Sequence, residues 1–277
     1  MATLSYHEQK DIENIKKLRE LQKELPSFCS DFFRGIETST STRTRIAYAY
    51  DLKIFFQFLK TANPGTFDNP SHTLTPSDLE KLTVTDLEEY IDYLKCHPSD
   101  TNEDVINTER GLMRKVSSLR SFYSYFFRNE RIEKNPAALV RMPKLHEKEI
   151  IRLEIDEVAK LLDEVEEGDK LTKKQKLYHE RTKVRDLAMM SLLLGTGIRV
   201  SECVGLNIND IDLDTCGARV YRKGGKESVI YFSDEVRDVL EDYLDEREMI
   251  DAVPGNEDAL FLSLIHISEP TRRVVIS

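Results

Sequence analysis

The sequence predicts a mainly α-helical protein of two domains: an N-terminal helical domain, and an α-rich second domain with one small antiparallel β-hairpin sheet. Apolar residues recur at helical spacing through most of the 277 residues. The stretch from Asn135 to Glu149, which contains two prolines, interrupts this periodicity. Strand-like alternation is confined to "ARVYRKGGKESVIYF", in which Gly224-Gly225 predicts a two-residue hairpin turn.

The predicted first domain, residues 1–140, has four or five helices, four of which the pattern marks. Its first two helices are expected at Asp11–Leu25 and at about Thr42–Lys60, and the stretch 63–70, which contains prolines and a glycine, is expected to be a loop. Thr85 and Glu88 form an expected capping box in front of the third helix. The fourth and longest helix is marked by an apolar side made of Leu112, Val116, Leu119, Phe122, Tyr123 and Phe126.

A linker is expected at residues 141–152, followed by the second domain at residues 153–261. Ile155–Val165 carries apolar residues at helical spacing. Asp186–Leu194 is nearly all apolar, which predicts a buried helix. After the hairpin, Ser233 is expected to cap a further helix.

Composition restricts the class of protein. Apolar residues make up 40% of the chain and charged residues 32%, as in a soluble protein with hydrophobic cores. No apolar run approaches the length of a membrane span, and the polar stretch Met1–Lys10 lacks the apolar centre of a secretory signal. The four cysteines form no Cys-x-x-Cys pair, and the six histidines show no metal-ligand spacing. We therefore expect a cytoplasmic protein with no membrane association and no metal site.

The net charge of −10 argues against a nucleic-acid partner, but the charge is segregated along the chain. From Arg110 to Arg152 there are eleven Lys and Arg residues and four acids, which leaves a net charge of +7. A second basic run covers Lys170–Arg185, and the acids concentrate elsewhere. A polyanion could therefore bind a basic face of an acidic protein. The alternative is that both runs are ordinary solvated helix faces.

The segment "GTGIRVSE" brings an arginine and an acid together. Its glycines allow a sharp turn after the apolar helix, and Arg199 and Glu202 are three residues apart, so they lie on one helical face. Glu202 could orient the guanidinium, but an ordinary surface ion pair, worth about 0.3 kcal/mol, is the simpler interpretation of the spacing alone. Lys223, at the expected hairpin tip, could be merely solubilising, or it could reach a bound substrate and donate a proton.

The stretch "RDLAMMSLLLGTGIRVSECVGLNINDIDLDTCGARVYRKGGKESVIYFSDEVRDVLEDYL" resembles the first half of the catalytic domain of tyrosine recombinases, especially of the Xer type. The family pattern has Arg-Asp opening a buried helix, then Thr-Gly-x-Arg-x-Ser-Glu, then a hairpin with Lys-Gly-x-Lys. "RGLMRKVSSLRSFYSYFFRNERIEKNPA" is similar to the last helix and exit of the family's N-terminal core-binding domain, a SAM-like helical domain. The resemblance covers about residues 20–262, and it implies a core-binding domain followed by a C-terminally incomplete catalytic domain.

The resemblance implies strand exchange on DNA. In this family a tyrosine attacks the scissile phosphate, forms a 3′-phosphotyrosyl link and frees a 5′-hydroxyl. Arg199 matches the first catalytic arginine, whose planar fork suits the extra negative charge of the phosphorane-like transition state. Glu202 matches the acid that supports this pocket. Lys223 matches the general acid that protonates the leaving 5′-oxygen.

Further cationic residues are expected to contact the DNA backbone. Lys226 matches a common basic position on the hairpin, and Lys115 and Arg120 are expected phosphate contacts in the core-binding domain. The implied partners are double-stranded DNA, clamped between the two domains, and other recombinase protomers in a tetrameric synapse. No metal or nucleotide cofactor is implied. Chromosome dimer resolution, phage integration and transposition all stay open as biological roles.

Three elements of the family pattern have no counterpart in the sequence: a His-x-x-Arg motif, a second His or Trp, and a tyrosine nucleophile near the C-terminus. His266 is followed three positions later by Glu269, and the last tyrosine, Tyr243, precedes the place where the motif belongs. We therefore predict a truncated recombinase that binds DNA and does not cleave it. The alternative is a non-catalytic DNA-binding or regulatory module.

The predicted cause of this absence is a non-native tail at residues 262–277. Leu262–Arg272 can be written in codons that look like the transposase adapter used for short-read sequencing libraries, and the codons through Ser277 keep the adapter's frame. His266 and Arg272 are accordingly expected to carry no function. The alternative is an ordinary strand-plus-turn tail, broken at Pro270.

Overall fold

The computed structural model describes residues 6–99, 103–146, 149, 151–222 and 226–267. The chain forms two compact units, one of residues 8–149 and the other of residues 150–277 together with residues 1–7. The boundary at 149–150 lies within the stretch that the sequence predicts to be a linker. Each unit has a hydrophobic core of its own. Most of the described elements are helices, and the described strands form two small antiparallel sheets. The predicted mainly α-helical fold class with a small antiparallel hairpin sheet is confirmed.

The first unit is helical, with one short hairpin between its last two long helices. Its described elements are α1 (Tyr6–Lys23), α2 (Cys29–Gly35), α3 (Thr42–Ala62), α4 (Pro64–Phe67), α5 (Pro76–Leu79), α6 (Val84–Lys95), β1 (Cys96–Pro98), β2 (Asp104–Ile106), α7 (Glu109–Arg128) and a 3-10 helix at Pro136–Ala138. Strands β1 and β2 pair in antiparallel fashion. The sequence does not predict this hairpin.

Aromatic side chains fill the core of the first unit. Phe28, next to α2, meets Phe126 of α7 edge-on, with 5.5 Å between the ring centroids. Phe122 lies 5.1 Å from Phe126 and 5.2 Å from Phe32 of α2, again edge-on. Buried pairs of this geometry contribute about 0.5–1.5 kcal/mol each beyond their area burial. The cluster therefore joins α2 to α7.

Helix α6 begins earlier than the sequence predicts. The expected capping box of Thr85 and Glu88 is wrong, because Thr83 is the N-cap. Its Oγ1 accepts the backbone N–H of Asp86 at 3.3 Å, and Asp86 Oδ2 accepts the backbone N–H of Thr83 at 2.6 Å. Since this earlier Thr–Asp pair satisfies the first free N–H groups, Thr85 lies inside the helix.

Two stretches expected to be irregular contain short helices that begin with proline. Pro64 opens α4, and Pro136 opens the 3-10 helix, whose N-cap Asn135 accepts the backbone N–H of Ala138 at 3.2 Å. Proline suits a first helical position because the N–H that it lacks would be unpaired there. Beyond this helix, Val140 is buried in the core of the first unit. That unit therefore continues to the expected domain boundary at residue 140 and past it.

The second unit combines helices with a three-stranded antiparallel sheet of order β3-β4-β5. Its described elements are α8 (Ile155–Glu167), α9 (Lys173–Thr196), α10 (Val200–Cys203), β3 (Ile211–Asp212), β4 (Gly217–Arg222), β5 (Lys226–Tyr231), α11 (Asp234–Glu248) and 3-10 helices at Ile208–Asp210 and Leu264–His266. The expected helix after Ser233 is α11, for which Ser233 is the N-cap residue.

The hairpin of β4 and β5 has a different register from the predicted one. Arg222 pairs with Lys226, so three residues separate the strands, whereas the predicted Gly-Gly turn has two. Residues 223–225 lie outside the described residues. Ala218 is fully buried and pairs with Ile230, which packs against the same core. A slip of one residue would turn Ile230 to the other face, so burial favours the observed register.

The apolar helix expected at Asp186–Leu194 is the C-terminal half of α9, and only one side of it is buried. Ala188 and Leu192 are fully buried, whereas Leu194 is 39% exposed. Among the described elements, α9 packs against α8, α10 and α11, and Leu194 lies on a side that these elements do not cover. The expectation of a buried helix is therefore met on one side of this helix and not on the other. Within the described residues, no helix is long and apolar enough to cross a lipid bilayer.

Candidate functional site

A sharp chain reversal places Arg199 at the start of α10. Gly197 ends α9 in the left-handed conformation, with φ of +65°, and its N–H donates to the carbonyl of Leu193 at 2.9 Å. Glycine adopts this conformation without the steric cost of a Cβ. Ile198 is buried, and Arg199 takes the N-cap position of α10 with an extended backbone. The turn that the two glycines of "GTGIRVSE" predict is present.

Glu202 holds Arg199 through both of its carboxylate oxygens. Oε1 accepts a hydrogen bond from the guanidinium Nη1 at 2.7 Å, and Oε2 accepts the backbone N–H of Arg199 at 3.0 Å. The side chain of Glu202 is 6% exposed, whereas that of Arg199 is 70% exposed. A buried carboxylate thus fixes one edge of the guanidinium and leaves its other donors accessible to a ligand.

The charge state of Glu202 follows from these bonds. The backbone N–H of Arg199 contributes most to holding the pKa of Glu202 below its usual range, and burial opposes this effect. The guanidinium of Arg199 and the positive charge of Arg222 lower the pKa further. Glu202 is therefore ionised at neutral pH. Arg222, at the end of β4, is a second cation close enough to Glu202 to lower its pKa.

The hairpin lysines are placed only in part. Lys223 lies outside the described residues. Arg222, which precedes it, is a hairpin cation whose charge lowers the pKa of Glu202, and Lys226 is exposed at the start of β5. The roles predicted for Lys223 and Lys226 stay predictions.

A segment that follows α11 supports the loop after α10. The N–H of Leu260 donates to the backbone carbonyl of Leu206 at 2.9 Å, and the N–H of Ile208 donates to the backbone carbonyl of Asp258 at 2.8 Å. Arg247 of α11 is buried and donates to backbone carbonyls of the same segment, from Nη2 to Glu257 at 2.9 Å and from Nε to Ala259 at 3.2 Å. Sequence reasoning missed Arg247, because it lies in a charged stretch that is typical of a solvated helix.

The two cations predicted as DNA contacts of the first unit make intramolecular hydrogen bonds. Lys115 is 7% exposed, its Nζ donates to Oδ1 of Asn107 at 2.7 Å, and burial lowers its pKa. Arg120 donates from Nε to the carbonyl of Ala137 at 3.2 Å, and from Nη2 to the carbonyl of Val140. Both side chains hold the first unit together, and their contacts to DNA stay predictions.

A neighbouring arginine that the sequence analysis did not single out is more accessible. Arg114 of α7 is 44% exposed and donates from Nη1 to Oδ2 of Asp51, which is 2% exposed, at 2.5 Å. Burial raises the pKa of Asp51 from 3.8 to about 6, against the opposing charges of Arg114 and Lys115. The sequence contains a feature that could have identified Asp51 as a buried acid. Asp51 stands four residues before the buried Phe55 on the same face of α3, where an apolar residue is expected.

Tyr243 is engaged in the core of the second unit. It is 1% exposed, and its hydroxyl donates to the carbonyl of Leu260 at 2.8 Å. Burial raises the pKa of this hydroxyl. These contacts give Tyr243 a packing role, as expected for a tyrosine that precedes the missing motif. The described residues contain no group of three or more His, Cys, Asp or Glu side chains that could hold a metal ion.

Comparison with known proteins identifies relatives over most of the chain. The model of the phage integrase family matches residues 151–275. Tyrosine recombinase XerC from Caldanaerobacter subterraneus subsp. tengcongensis is 34% identical over 249 residues, which cover 86% of this chain and 63% of that protein. Tyrosine recombinase XerS from Streptococcus uberis is 30% identical over 274 residues, which cover 90% of this chain and 75% of that protein.

The fold is also similar to that of a solved recombinase. A lambda integrase tetramer bound to a Holliday junction matches with a TM-score of 0.54 at 16% identity, over 87% of this chain and 60% of that one. This likeness concerns the fold. The integrase family match runs through most of residues 262–277, and the non-native origin of those residues stays a prediction.

Proposed function

Because the chain belongs to the tyrosine recombinase family and is Xer-like, we propose that it binds double-stranded DNA for site-specific recombination, with Arg199 on a backbone phosphate. The observation that carries this proposal is the pairing of the exposed Arg199 guanidinium with the buried Glu202. A fixed, open guanidinium can donate two parallel hydrogen bonds to one phosphate. An ordinary surface ion pair has no need of a buried carboxylate.

In strand cleavage by a full-length parent recombinase, each residue of the site would have a separate role. The non-bridging oxygens of the phosphate gain negative charge in the transition state, and the free donors of Arg199 would stabilise that charge. Glu202 would keep the guanidinium in place. Lys223 would protonate the leaving 5′-oxygen, and Lys226 would contact the backbone beside it. None of these steps requires a metal or a nucleotide cofactor.

The remaining predicted DNA contacts belong to the first unit. Lys115 and Arg120 would each exchange an intramolecular hydrogen bond for one to a phosphate. Assembly with further protomers is proposed by analogy with the lambda integrase tetramer. We propose the cytoplasm as the location of this activity, because the proposed substrate is DNA.

We propose that the 277-residue chain binds DNA without cleaving it. Its sequence has no tyrosine after Tyr243, whose hydroxyl is buried and hydrogen-bonded. A non-catalytic DNA-binding or regulatory module is the second candidate function, and the same observation supports it. The genomic sequence around codon 262 separates the two. A frame that continues to His-x-x-Arg and tyrosine codons supports a parent recombinase and a non-native tail, and a stop after Ser277 supports the module.

Two measurements test the proposal. Fluorescence anisotropy with a labelled duplex at low salt should detect binding, and Arg199→Ala should weaken it about tenfold, or ~1.4 kcal/mol. Arg237→Ala, which removes an equal charge from α11 of the same unit, should leave the affinity within about twofold. Equal losses for the two variants would contradict a specific role for Arg199. A nicked suicide duplex should yield no covalent protein–DNA adduct, and an adduct would contradict binding without cleavage.

A further inference from the structure

The first residues of the predicted linker lie along α7. Residues 141–146 form no helix or strand, and they belong to the same compact unit as α7. We propose that these residues form a strap on α7, and that a two-bond clasp between Glu109 and His146 closes the strap and shortens the chain that connects the two units freely. The strap is a feature of the free protein and goes beyond the DNA binding proposed above.

The strap begins at a fixed point near the C-terminal half of α7. The carbonyl of Val140 accepts a hydrogen bond from Nη2 of Arg120, and the carbonyl of Ala137 accepts one from Nε of the same arginine at 3.2 Å. Val140 is 1% exposed, and Met142 packs against the core of the first unit. This end is held by burial as well as by hydrogen bonds, so it should stay attached when the other end opens.

The strap ends on Glu109, the first residue of α7. The backbone N–H of His146 donates to Oε2 of Glu109 at 2.9 Å, and the imidazole Nδ1 donates to Oε1 at 2.6 Å. Nδ1 is the donor, because the carboxylate only accepts. The side chains of His146 and Glu109 are 83% and 46% exposed. Contacts as exposed as these are weak, so the clasp is the end that can open.

The strap has little slack between its two ends. From Arg120 back to Glu109, α7 rises about 16 Å, at ~1.5 Å per residue. The chain from Val140 to His146 spans about 20 Å when it is fully extended. The strap therefore runs antiparallel to α7 in a nearly extended form, and on the way Leu145 enters the groove that Met113 also lines.

The sequence of the strap favours this extended form. Pro143 has a φ fixed at about −65°, and it disfavours helical backbone at Met142 before it. Fewer conformations are therefore lost when the strap closes.

Opening of the clasp lengthens the free connection between the units. The stretch between the clasp and the start of α8 is residues 147–154, and without the clasp it becomes residues 141–154. This change adds about 20 Å to the reach of the connection. For a protein whose two units close on a duplex, this length limits how far the units can separate before they bind.

Trypsin measures whether the strap is closed, because cleavage follows the population of the opened segment. The Lys144–Leu145 bond lies within the strap, and the Arg152–Leu153 bond lies beyond it and provides an internal reference. Mass spectrometry gives the initial rate at each bond in the full chain. Glu109→Ala should raise the rate at the first bond relative to the second about tenfold. Glu88→Ala, which removes an exposed acid from α6 of the same unit, should leave this ratio within about twofold.

His146 separates the clasp from a general effect of Glu109 on the start of α7. His146→Ala removes the imidazole bond, keeps the backbone bond, and should raise the cleavage ratio about threefold. In that background Glu109→Ala should raise the ratio only about threefold more. A tenfold effect in both backgrounds would overturn the clasp. If Glu109→Ala unfolds the chain, as circular dichroism would show, His146→Ala decides the question, because it changes an exposed linker residue.

Small-angle X-ray scattering by the full chain measures the reach of the connection. Glu109→Ala should increase the maximum dimension by at most about 20 Å, and Glu88→Ala should leave it unchanged. Unchanged cleavage ratios for Glu109→Ala and His146→Ala overturn the clasp. A raised ratio with an unchanged maximum dimension overturns its effect on the connection. Neither experiment contains DNA, so both outcomes are independent of whether the proposed function is correct.

Discussion

The carboxylate of Glu202 binds Arg199 twice, once at its backbone N–H and once at its guanidinium. The buried side chain of Glu202 therefore caps the N-terminus of α10 and also orients the guanidinium of Arg199, the N-cap residue. Glu202→Ala should remove both contacts and lower the free energy of unfolding by about 1–2 kcal/mol. DNA affinity should fall as it does for Arg199→Ala, because the guanidinium loses its fixed edge. Urea unfolding and anisotropy measure the two effects. A loss of stability with unchanged DNA affinity would show that Glu202 only caps the helix.

The left-handed backbone at Gly197 should make this position sensitive to a single methyl group. A Cβ there would meet no atom within 4 Å, so the whole cost of Gly197→Ala is conformational, about 1 kcal/mol. Gly65→Ala is the matched control, since a Cβ at Gly65 also meets nothing within 4 Å and no positive φ is recorded there. It should be neutral or slightly stabilising, because alanine favours the helix. Equal unfolding midpoints for the two variants would contradict the assigned strain.

Burial of Asp51 predicts a pH-dependent stability. The folded pKa of about 6 exceeds the ordinary value of 3.8, so the folded state holds its proton over a pH range in which the unfolded state has released it. The contribution of Asp51 to stability is full below about pH 4 and is lost as the pH rises through about 6, by about 3 kcal/mol in total.

Asp51→Asn provides the reference for this prediction, because it removes the titration and keeps the shape of the side chain. The free energy of unfolding of the parent chain, relative to that of Asp51→Asn, should fall between about pH 4 and pH 6 and stay level above that range. Parallel curves over the whole range would contradict the raised pKa.

Arg247 should be far more important than its charged surroundings suggest. Arg247→Ala removes hydrogen bonds to several carbonyls of the segment that supports the loop after α10, and a loss of at least ~3 kcal/mol is expected. Arg237→Ala, on the same helix and at the surface, should cost less than about 0.5 kcal/mol. Urea unfolding checks both variants, and similar costs would mean that the carbonyl contacts of Arg247 contribute little.

Long elements with a regular pattern could be predicted from the sequence. The helices at α3 and α7 have enough turns for the apolar spacing to define them, and the fold class and the Xer-like resemblance are confirmed. The strand pair at Cys96–Pro98 could not be predicted, because three residues are too few for alternation to be recognised. The hairpin register could not be predicted either, because it depends on the burial of Ala218 in the folded unit and not on the Gly-Gly pair alone.

Some residues of the candidate site could also be predicted from the sequence, and others could not. Arg199 and Glu202 could be paired from their spacing, because residues three apart on a helix are neighbours. Lys115 and Arg120 could not be placed, because a basic sequence does not reveal which cations meet carbonyl or amide oxygens of their own chain. Asn107 and Val140 provide such oxygens, and they are 8 and 20 residues away from these cations in the sequence. The accessible cation of that region, Arg114, is therefore one that charge counting alone does not distinguish from its neighbours.

The most direct test of a DNA phosphate contact at Arg199 is the salt dependence of duplex binding by the parent chain, by Arg199→Ala and by Arg199→Lys. We predict a slope of log Kd against log salt that is lower by about 1 for Arg199→Ala. For Arg199→Lys we predict a restored slope with an affinity that remains reduced, because lysine keeps the charge and lacks the fork. Superimposable curves for the parent chain and Arg199→Ala would contradict the proposed function.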